Sequence, residues 1–372
     1  MLSDNSAPQG ASLTAPTIVW ADGALELIDQ TLLPHETVTL RCTTVDSVVD
    51  AIKRLAVRGA PAIGVAGAYG VALAAIANDP VSAPAAFADD VDRLANARPT
   101  AVNLARMVAR TAAAATSADA ALAAAHEIRA EELAASTAMG EQGADLLLEL
   151  CGDRPLRVMT ICNTGGLAAV ERGTALAVIQ TLHERGKLAE AIPLETRPLL
   201  QGGRLTTWEL ARMGAPHRLV VDSAAASLLA RGFADAVVAG ADRIAANGDT
   251  ANKVGTFALA LAAQHARIPF VIVAPESTVD VDTASGADIE IEDRGADEVV
   301  EIRGVALCPP GTSAINPAFD VTPVELIDAL VTDTRVVRFG AGQTVREAVD
   351  GLPPEHVVDQ LSGDSTTSQE QR

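Results

Sequence analysis

At 372 residues the chain is long enough for two domains and a sizeable buried core. Its residues are 49% hydrophobic but only 2% aromatic, so the core has to be built from Ala, Val, Leu and Ile, as where helices pack closely on a Val/Ile-rich sheet. With 28 Lys and Arg against 48 Asp and Glu, the net charge of −20 argues against a nucleic-acid partner, but a small anion stays admissible, since a few local cations can dominate a pocket's field.

Residues 1–15 are polar and Pro-containing, and read as a loose tail; the opening MLSDNSAPQG lacks the basic segment and apolar run of a signal peptide, so a cytoplasmic location is expected. Residues 16–130 are expected to form a smaller, mostly helical domain. Within it, Pro61 is placed as the first residue of a helix running to about Asn78. Gly59–Asn78 is twenty residues without a charge, but mostly Gly and Ala, which contribute little transfer energy into lipid, so no membrane contact is expected. Arg58 beside a helix N-terminus opposes the helix dipole unless an anion lies between them. Arg58-Gly59-Ala60-Pro61 therefore reads either as a phosphate cradle or as the start of a helix made for close packing.

From about Ala85 to Leu150 the sequence is Ala-rich and helical, and the domain boundary is placed inside it, at 130/131. From Arg157 onward short apolar runs alternate with helical stretches. The predicted strands are RVMTI (157–161), IPLE (192–195), RLVVD (218–222), AVVAG (236–240) and FVIVA (270–274). The helices between them are TALAVIQTLHERG, LTTWELARMG, SAAASLLARG and VGTFALALAAQHARI. This alternation implies right-handed βαβ units, hence an α/β fold with a Rossmann-like, doubly wound parallel sheet over 131–350. Thr322-Pro323-Val324-Glu325 reads as a capping box opening a helix, ELIDALV. Residues 351–372 read as a solvated tail.

In such sheets ligands bind beyond the carboxyl ends of the strands. Cys162-Asn163-Thr164-Gly165-Gly166, Glu195-Thr196-Arg197, Asp222-Ser223, Asp242-Arg243 and Glu276-Ser277 gather there. Asp242, in an apolar Gly-rich setting, is a candidate proton donor or else an N-cap or an ion-pair partner of Arg243; Cys162 is a candidate base or nucleophile or else a small core residue. A helix is expected to begin near Asn252 or Lys253, where a lysine again opposes the dipole unless a bound phosphate intervenes. The four cysteines, Cys42, Cys151, Cys162 and Cys308, are scattered without a CxxC pair or a His cluster, so neither a disulfide framework nor a metal is expected.

Together RGAPAIGVAGAYG, ARPTAVNL, ICNTGG with GTALAVI, ETRPLLQGGRLTTWEL, GADRIAANGDTANKVGT and NPAFDVTPVELI, in this order over roughly residues 20–340, resemble the methylthioribose-1-phosphate isomerases of methionine salvage. That superfamily is shared with regulatory subunits of a eukaryotic translation-initiation exchange factor. The resemblance implies a homodimer with no cofactor and no metal, acting on a small phosphosugar. It assigns Cys162 and Asp242 as the catalytic pair, and places substrate contacts on Arg58, Gly59, Ala60, Arg98, Gln201, Asn252 and Lys253. It implies aldose–ketose isomerisation of 5-methylthioribose 1-phosphate, with 5-deoxyribose 1-phosphate or ribose 1,5-bisphosphate as related substrates. A non-catalytic regulatory subunit is the rival, against which the retained Cys162 and Asp242 speak. A dinucleotide-binding enzyme fails for lack of GxGxxG after the first C-terminal strand. Two departures stand out: Ile161 where family members often carry His, and Ser223-Ala224 where they often carry Asn-Met.

Overall fold

The computed structural model describes residues 16–346 apart from Thr100 and Arg303, so the expected tails at 1–15 and 351–372 lie outside the described residues. The chain opens with a three-stranded antiparallel sheet of β1 (Ile18–Ala21), β2 (Ala24–Ile28) and β3 (Thr39–Cys42), which the reading of this region as mostly helical did not include. Asp22-Gly23, both at positive φ, close the β1–β2 hairpin. Helices α1 (Val45–Lys53), α2 (Ala60–Ala77), α3 (Pro84–Ala95) and α4 (Val102–Ala114) follow, then the 34-residue α5 (Ala118–Cys151).

Helix α2 is long and apolar enough to cross a membrane, but 78% of it is buried inside the protein, where it is the hub of the first core. Its glycines allow this. A Cβ on Gly67 would lie 2.6 Å from Leu104 Cδ1 and 2.8 Å from Val108 Cγ2 of α4, and one on Gly70 would lie 2.6 Å from Leu94 Cδ2 of α3. Helix α5 joins two cores: Ala121, Ala125 and Ile128 serve the first, Met139, Ala144 and Leu147 the second. The boundary read at 130/131 falls within this continuous helix.

The second half is built on a six-stranded sheet. Its first three strands in the chain are β4 (Leu156–Thr160), β5 (Leu188–Pro193) and β6 (Ala236–Ala239). The covering helices are α6 (Ala175–Glu184), α7 (Thr207–Met213) and α8 (Ala225–Ala230). A hairpin of β7 (Arg243–Ala245) and β8 (Thr250–Lys253) leads into α9 (Thr256–Ala266) and β9 (Phe270–Val273). Next come β10 (Val279–Asp280), α10 (Asp297–Val300), the small hairpin β11 (Glu301–Ile302) and β12 (Val305–Ala306), and β13 (Phe319–Thr322). The sheet is completed by β14 (Ala329–Val331) and β15 (Val336–Arg338). The order β15-β14-β9-β6-β4-β5 is parallel except for β15, and its strand order reverses between β4 and β6. A second sheet, β10-β7-β8-β13, stands beside it.

Three local expectations are corrected. RLVVD is no strand: it runs along the edge of β5 through isolated bridges, Ala191 to His217 and Leu194 to Val220, with Leu219 and Val221 exposed. ELIDALV is no helix: after one 3-10 turn at Val324–Leu326, its last residues become β14, because Leu330 and Val331 fill the open edge of β9. Asp328 hooks that strand in place, accepting the Phe270 N–H at 2.7 Å and donating its own N–H to the Phe270 carbonyl at 2.9 Å. Asn252 and Lys253 do not start a helix either. They end β8, and α9 begins at Thr256 after Gly255.

Candidate active site

The reversal of strand order between β4 and β6 opens a crevice beyond their carboxyl ends, and the two candidate catalytic residues follow those two strands. Cys162 is buried and adopts φ +66°, a left-handed conformation that costs a non-glycine residue roughly 1–2 kcal/mol. The surroundings impose it. Its N–H donates to Thr196 Oγ1 at 2.9 Å, and its carbonyl accepts from Thr206 Oγ1 at 2.7 Å. Thr196, also left-handed, is fixed in turn because Asp222 accepts the Thr196 and Arg197 N–H groups at 2.8 and 2.7 Å.

Asp242 lies beyond β6, its N–H donating to the Ala251 carbonyl of β8 at 2.9 Å. Gly240 permits the approach to the Cys162 loop: a Cβ there would stand 2.8 Å from Thr164 Cγ2. Asp242 is exposed at the surface of the site, yet enough protein surrounds its carboxyl to withdraw much of the bulk solvent. This loss of bulk solvent raises its pKa above the ordinary carboxylate value, while Lys253, Arg58, Arg294 and Arg98 pull the other way. No described residue donates a hydrogen bond to its carboxylate.

These four cations come from distant segments. Lys253, 5% exposed, donates to the Ala318 carbonyl at 2.8 Å and stands 5.1 Å from the Phe319 ring. Burial lowers its pKa; Cys162 and Asp242 oppose that and Arg294 and Arg58 add to it. Arg98, after α3, is likewise lowered by burial and then by the neighbouring Arg294. Arg58 donates to both the carbonyl and Oδ1 of Asn163, while its buried Nε has no partner among the described residues. Gly59 holds φ +92° and leaves no room for a side chain, since a Cβ would lie 2.7 Å from Ala168 Cα. Ala60 opens α2, whose N-terminus carries no side-chain cap. The close-packing reading thus holds for this helix, and its N-terminus is left without a side-chain cap beside Arg58.

The second expected cradle does not form. At the start of α9, Asp320 accepts the Gly255 and Phe257 N–H groups at 2.7 and 3.1 Å, so the protein's own carboxylate takes the place envisaged for phosphate. Gln201 sits just past the Thr196 loop with its buried Oε1 unpartnered among the described residues. Asn252 is buried, and its Nδ2 donates to Thr256 Oγ1 at 2.9 Å. Sequence reading missed Arg294, in an irregular loop without periodicity, and Glu209, buried on α7 beneath Asn163. Of the two departures, Ile161 is 1% exposed in the core, and Ser223 lies exposed on a turn after Asp222. Among the described residues, no group of three or more His, Cys, Asp and Glu is placed to hold a metal ion.

A thiol and a carboxyl of raised pKa, with Lys253, Arg58, Arg294 and Arg98 acting on it, lie at the switch point of a doubly wound α/β sheet, where such folds take small ligands. The sequence pattern of the initiation factor 2 subunit family matches residues 56–338, and the chain belongs to that family, among its methylthioribose-1-phosphate isomerases. It is 54% identical over 86% of its length to a Nocardia farcinica protein named as a probable bifunctional methylthioribose-1-phosphate isomerase/methylthioribulose-1-phosphate dehydratase, of which it spans 59%. It is 47% identical to the methylthioribose-1-phosphate isomerase of Chloroflexus aurantiacus, over 87% of this chain and 95% of that one. A 5-deoxyribose 1-phosphate isomerase of Moorella thermoacetica is 46% identical, over 90% and 97%. Among solved structures, 5-methylthioribose 1-phosphate isomerase from Pyrococcus horikoshii superposes with a TM-score of 0.82 at 38% identity, covering 88% of this chain and 94% of that one. A protein of A. fulgidus described as translation initiation factor eIF-2B, subunit delta, does so at 0.82 and 39%, over 90% and 99%.

Proposed function

We propose that this chain converts 5-methylthioribose 1-phosphate to 5-methylthioribulose 1-phosphate, an aldose–ketose isomerisation. The observation that carries the reading is the position of Asp242, a carboxyl with a raised pKa among four cations, beyond the strand adjacent to the one that delivers Cys162. Arg58 and the uncapped start of α2 would receive the phosphate, with Arg98 and Lys253 adding charge and the unpartnered Gln201 meeting a sugar hydroxyl.

A 1-phosphorylated aldose cannot open to a free aldehyde, because its anomeric oxygen is esterified. Asp242 donates its proton to the ring oxygen as the bond from that oxygen to C1 breaks. Cys162 then removes the C2 proton to give an enol phosphate and returns it to C1. The C2 hydroxyl proton passes to the Asp242 carboxylate as the ketone forms, so both groups end as they began. Direct migration of hydride from C2 to C1 gives the same product, with Cys162 shaping the pocket. Turnover in deuterated water separates the routes, since deuterium at C1 supports the enol.

The decisive experiment follows 5-methylthioribose 1-phosphate by phosphorus and proton NMR with wild type, Cys162→Ser and Asp242→Asn. Conversion by wild type, lost by at least about a hundredfold in Asp242→Asn, is expected. A folded wild type that converts neither this substrate nor 5-deoxyribose 1-phosphate sinks the reading in favour of a regulatory subunit. The proposal extends to a cytoplasmic homodimer, on the family resemblance; light scattering that returns the mass of one protomer overturns the dimer.

A further inference from the structure

Helix α7 carries a carboxylate that the reaction proposed above does not use. Glu209 is 5% exposed, and its Oε1 accepts Asn163 Nδ2 at 2.6 Å while its Oε2 accepts the Leu167 N–H at 3.3 Å. The fit is tight: a Cβ at Gly165 would lie 2.5 Å from both carboxylate oxygens, so a side chain there would displace Glu209. Asn163 carries the arrangement into the site. Its oxygen accepts from Arg58, and its nitrogen also reaches, at 3.3 Å, Thr206 Oγ1, the hydroxyl that holds the Cys162 carbonyl.

An amide side chain has one accepting and one donating end. Asn163 turns its oxygen to Arg58 while its nitrogen finds an acceptor on the other side, and Glu209 is that acceptor. We propose that Glu209 is a positioning residue that, when ionised, locks the Asn163 amide and so fixes both the Arg58 guanidinium for the substrate's phosphate and the backbone of Cys162. The proposal rests on the isomerase reading for the roles of Arg58 and Cys162.

Burial pushes the Glu209 carboxyl up to about 7, against the hydrogen bonds from Asn163 and Leu167 and the charge of Arg58. The charged group facing it is Arg58, from the segment entering α2; the turn after β4 presents the Asn163 amide and the Gly166 and Leu167 backbone. Protonation turns one carboxyl oxygen into a donor, which can no longer serve all of these donors. The ionised, aligned form is therefore the one present above about pH 7.

The test measures kcat and KM between about pH 5 and about pH 9 for wild type, Glu209→Gln, Asn163→Ala and the double variant, with calorimetric binding of inorganic phosphate at the same pH values. In wild type, KM should fall as pH rises through about 7. Glu209→Gln should show a KM raised roughly tenfold at high pH, without that inflection and with a smaller change in kcat. The substrate phosphate titrates near pH 6 in both enzymes, so their difference is the readout. The double variant should lose no more than Asn163→Ala, because both act along one line. A merely structural role would lower the melting midpoint and leave the inflection in place. Wild-type KM with an unchanged inflection in Glu209→Gln, or additive losses, overturns the proposal. Absence of turnover by wild type overturns the isomerase reading instead, and phosphate affinity, compared between wild type and Glu209→Gln, then decides; phosphate that binds wild type at no pH also overturns the proposal.

Discussion

Asp242 works as an acid only if protonated, so activity should fall as pH rises through its raised pKa. The cations around it work against that elevation, each favouring the ionised carboxylate. Arg294 is the one that the sequence did not announce. It reaches the site from a loop, partly buried, 6.0 Å above the Phe319 ring that also underlies Lys253. Arg294→Ala removes part of the pull on Asp242, and the high-pH limb of kcat should move to higher pH. A limb that moves downward in the pH–rate profile sinks the assignment of Asp242 as the acid, whatever the height of the plateau. Arg58 was legible because a cation beside a Pro-started helix is a local electrostatic conflict, visible along the chain. Arg294 and Glu209 lie in no local conflict; their importance comes from what folds against them, which one-dimensional spacing does not record.

At the scale of elements, the strands that position the chemistry were legible. The runs over 157–161, 236–240 and 270–274 correspond to β4, β6 and β9; β6 and β9 are buried throughout and wholly apolar, while β4 adds a half-buried Arg157 and a buried Thr160 to its apolar residues. Misreadings came where tertiary context outweighed a local signal. Thr322-Pro323-Val324-Glu325 has the residues of a helix start, but a vacant, fully apolar sheet edge beside β9 takes the following residues as β14. The N-terminal hairpin was overlooked although Asp22-Gly23 signals one, because IVWA and ALELI do not alternate apolar with polar residues and so show no strand period. If Asp328 secures β14 as described, Asp328→Ala leaves the buried Phe270 N–H without its carboxylate partner and should cost roughly 1–3 kcal/mol in denaturant unfolding. A change below about 0.5 kcal/mol would show that packing of Leu330 and Val331 alone decides the strand.

Across the whole molecule, the two halves meet on the loop that follows Cys162. Thr17 Oγ1 donates to the Gly166 and Val170 carbonyls at 2.7 and 2.9 Å, Gln30 Nε2 to the Leu167 carbonyl at 2.7 Å, and Arg58 to Asn163. The helical half thus contributes Arg58 and the start of α2, and the doubly wound half Cys162 and Asp242, so the proposed site draws on both. Titration should show what this assembly costs. Asp29, Glu184, Asp235 and Asp249 are partly buried, which alone would raise their pKa values, but hydrogen bonds hold them below the ordinary range. Their contribution is present above about pH 4 and lost as pH falls through their native values. Glu132 and Glu209 do the reverse. Burial lifts each to about 7, with Asp333 and Glu131 adding to the effect on Glu132. Between the unfolded value of 4.5 and about 7 the native state keeps protons that the unfolded chain has released, so stability falls as pH rises through that window. The melting midpoint should therefore peak on the acid side of neutrality and decline toward pH 8. Glu132→Gln, remote from the candidate site, should remove part of that decline. The gain at pH 8 is at most about 3 kcal/mol, and less for a side chain that keeps some contact with water. A Glu132→Gln midpoint that tracks wild type at every pH would show that this carboxyl is ionised in the folded protein at neutral pH, leaving Glu209 and Asp242 to account for any remaining alkaline decline.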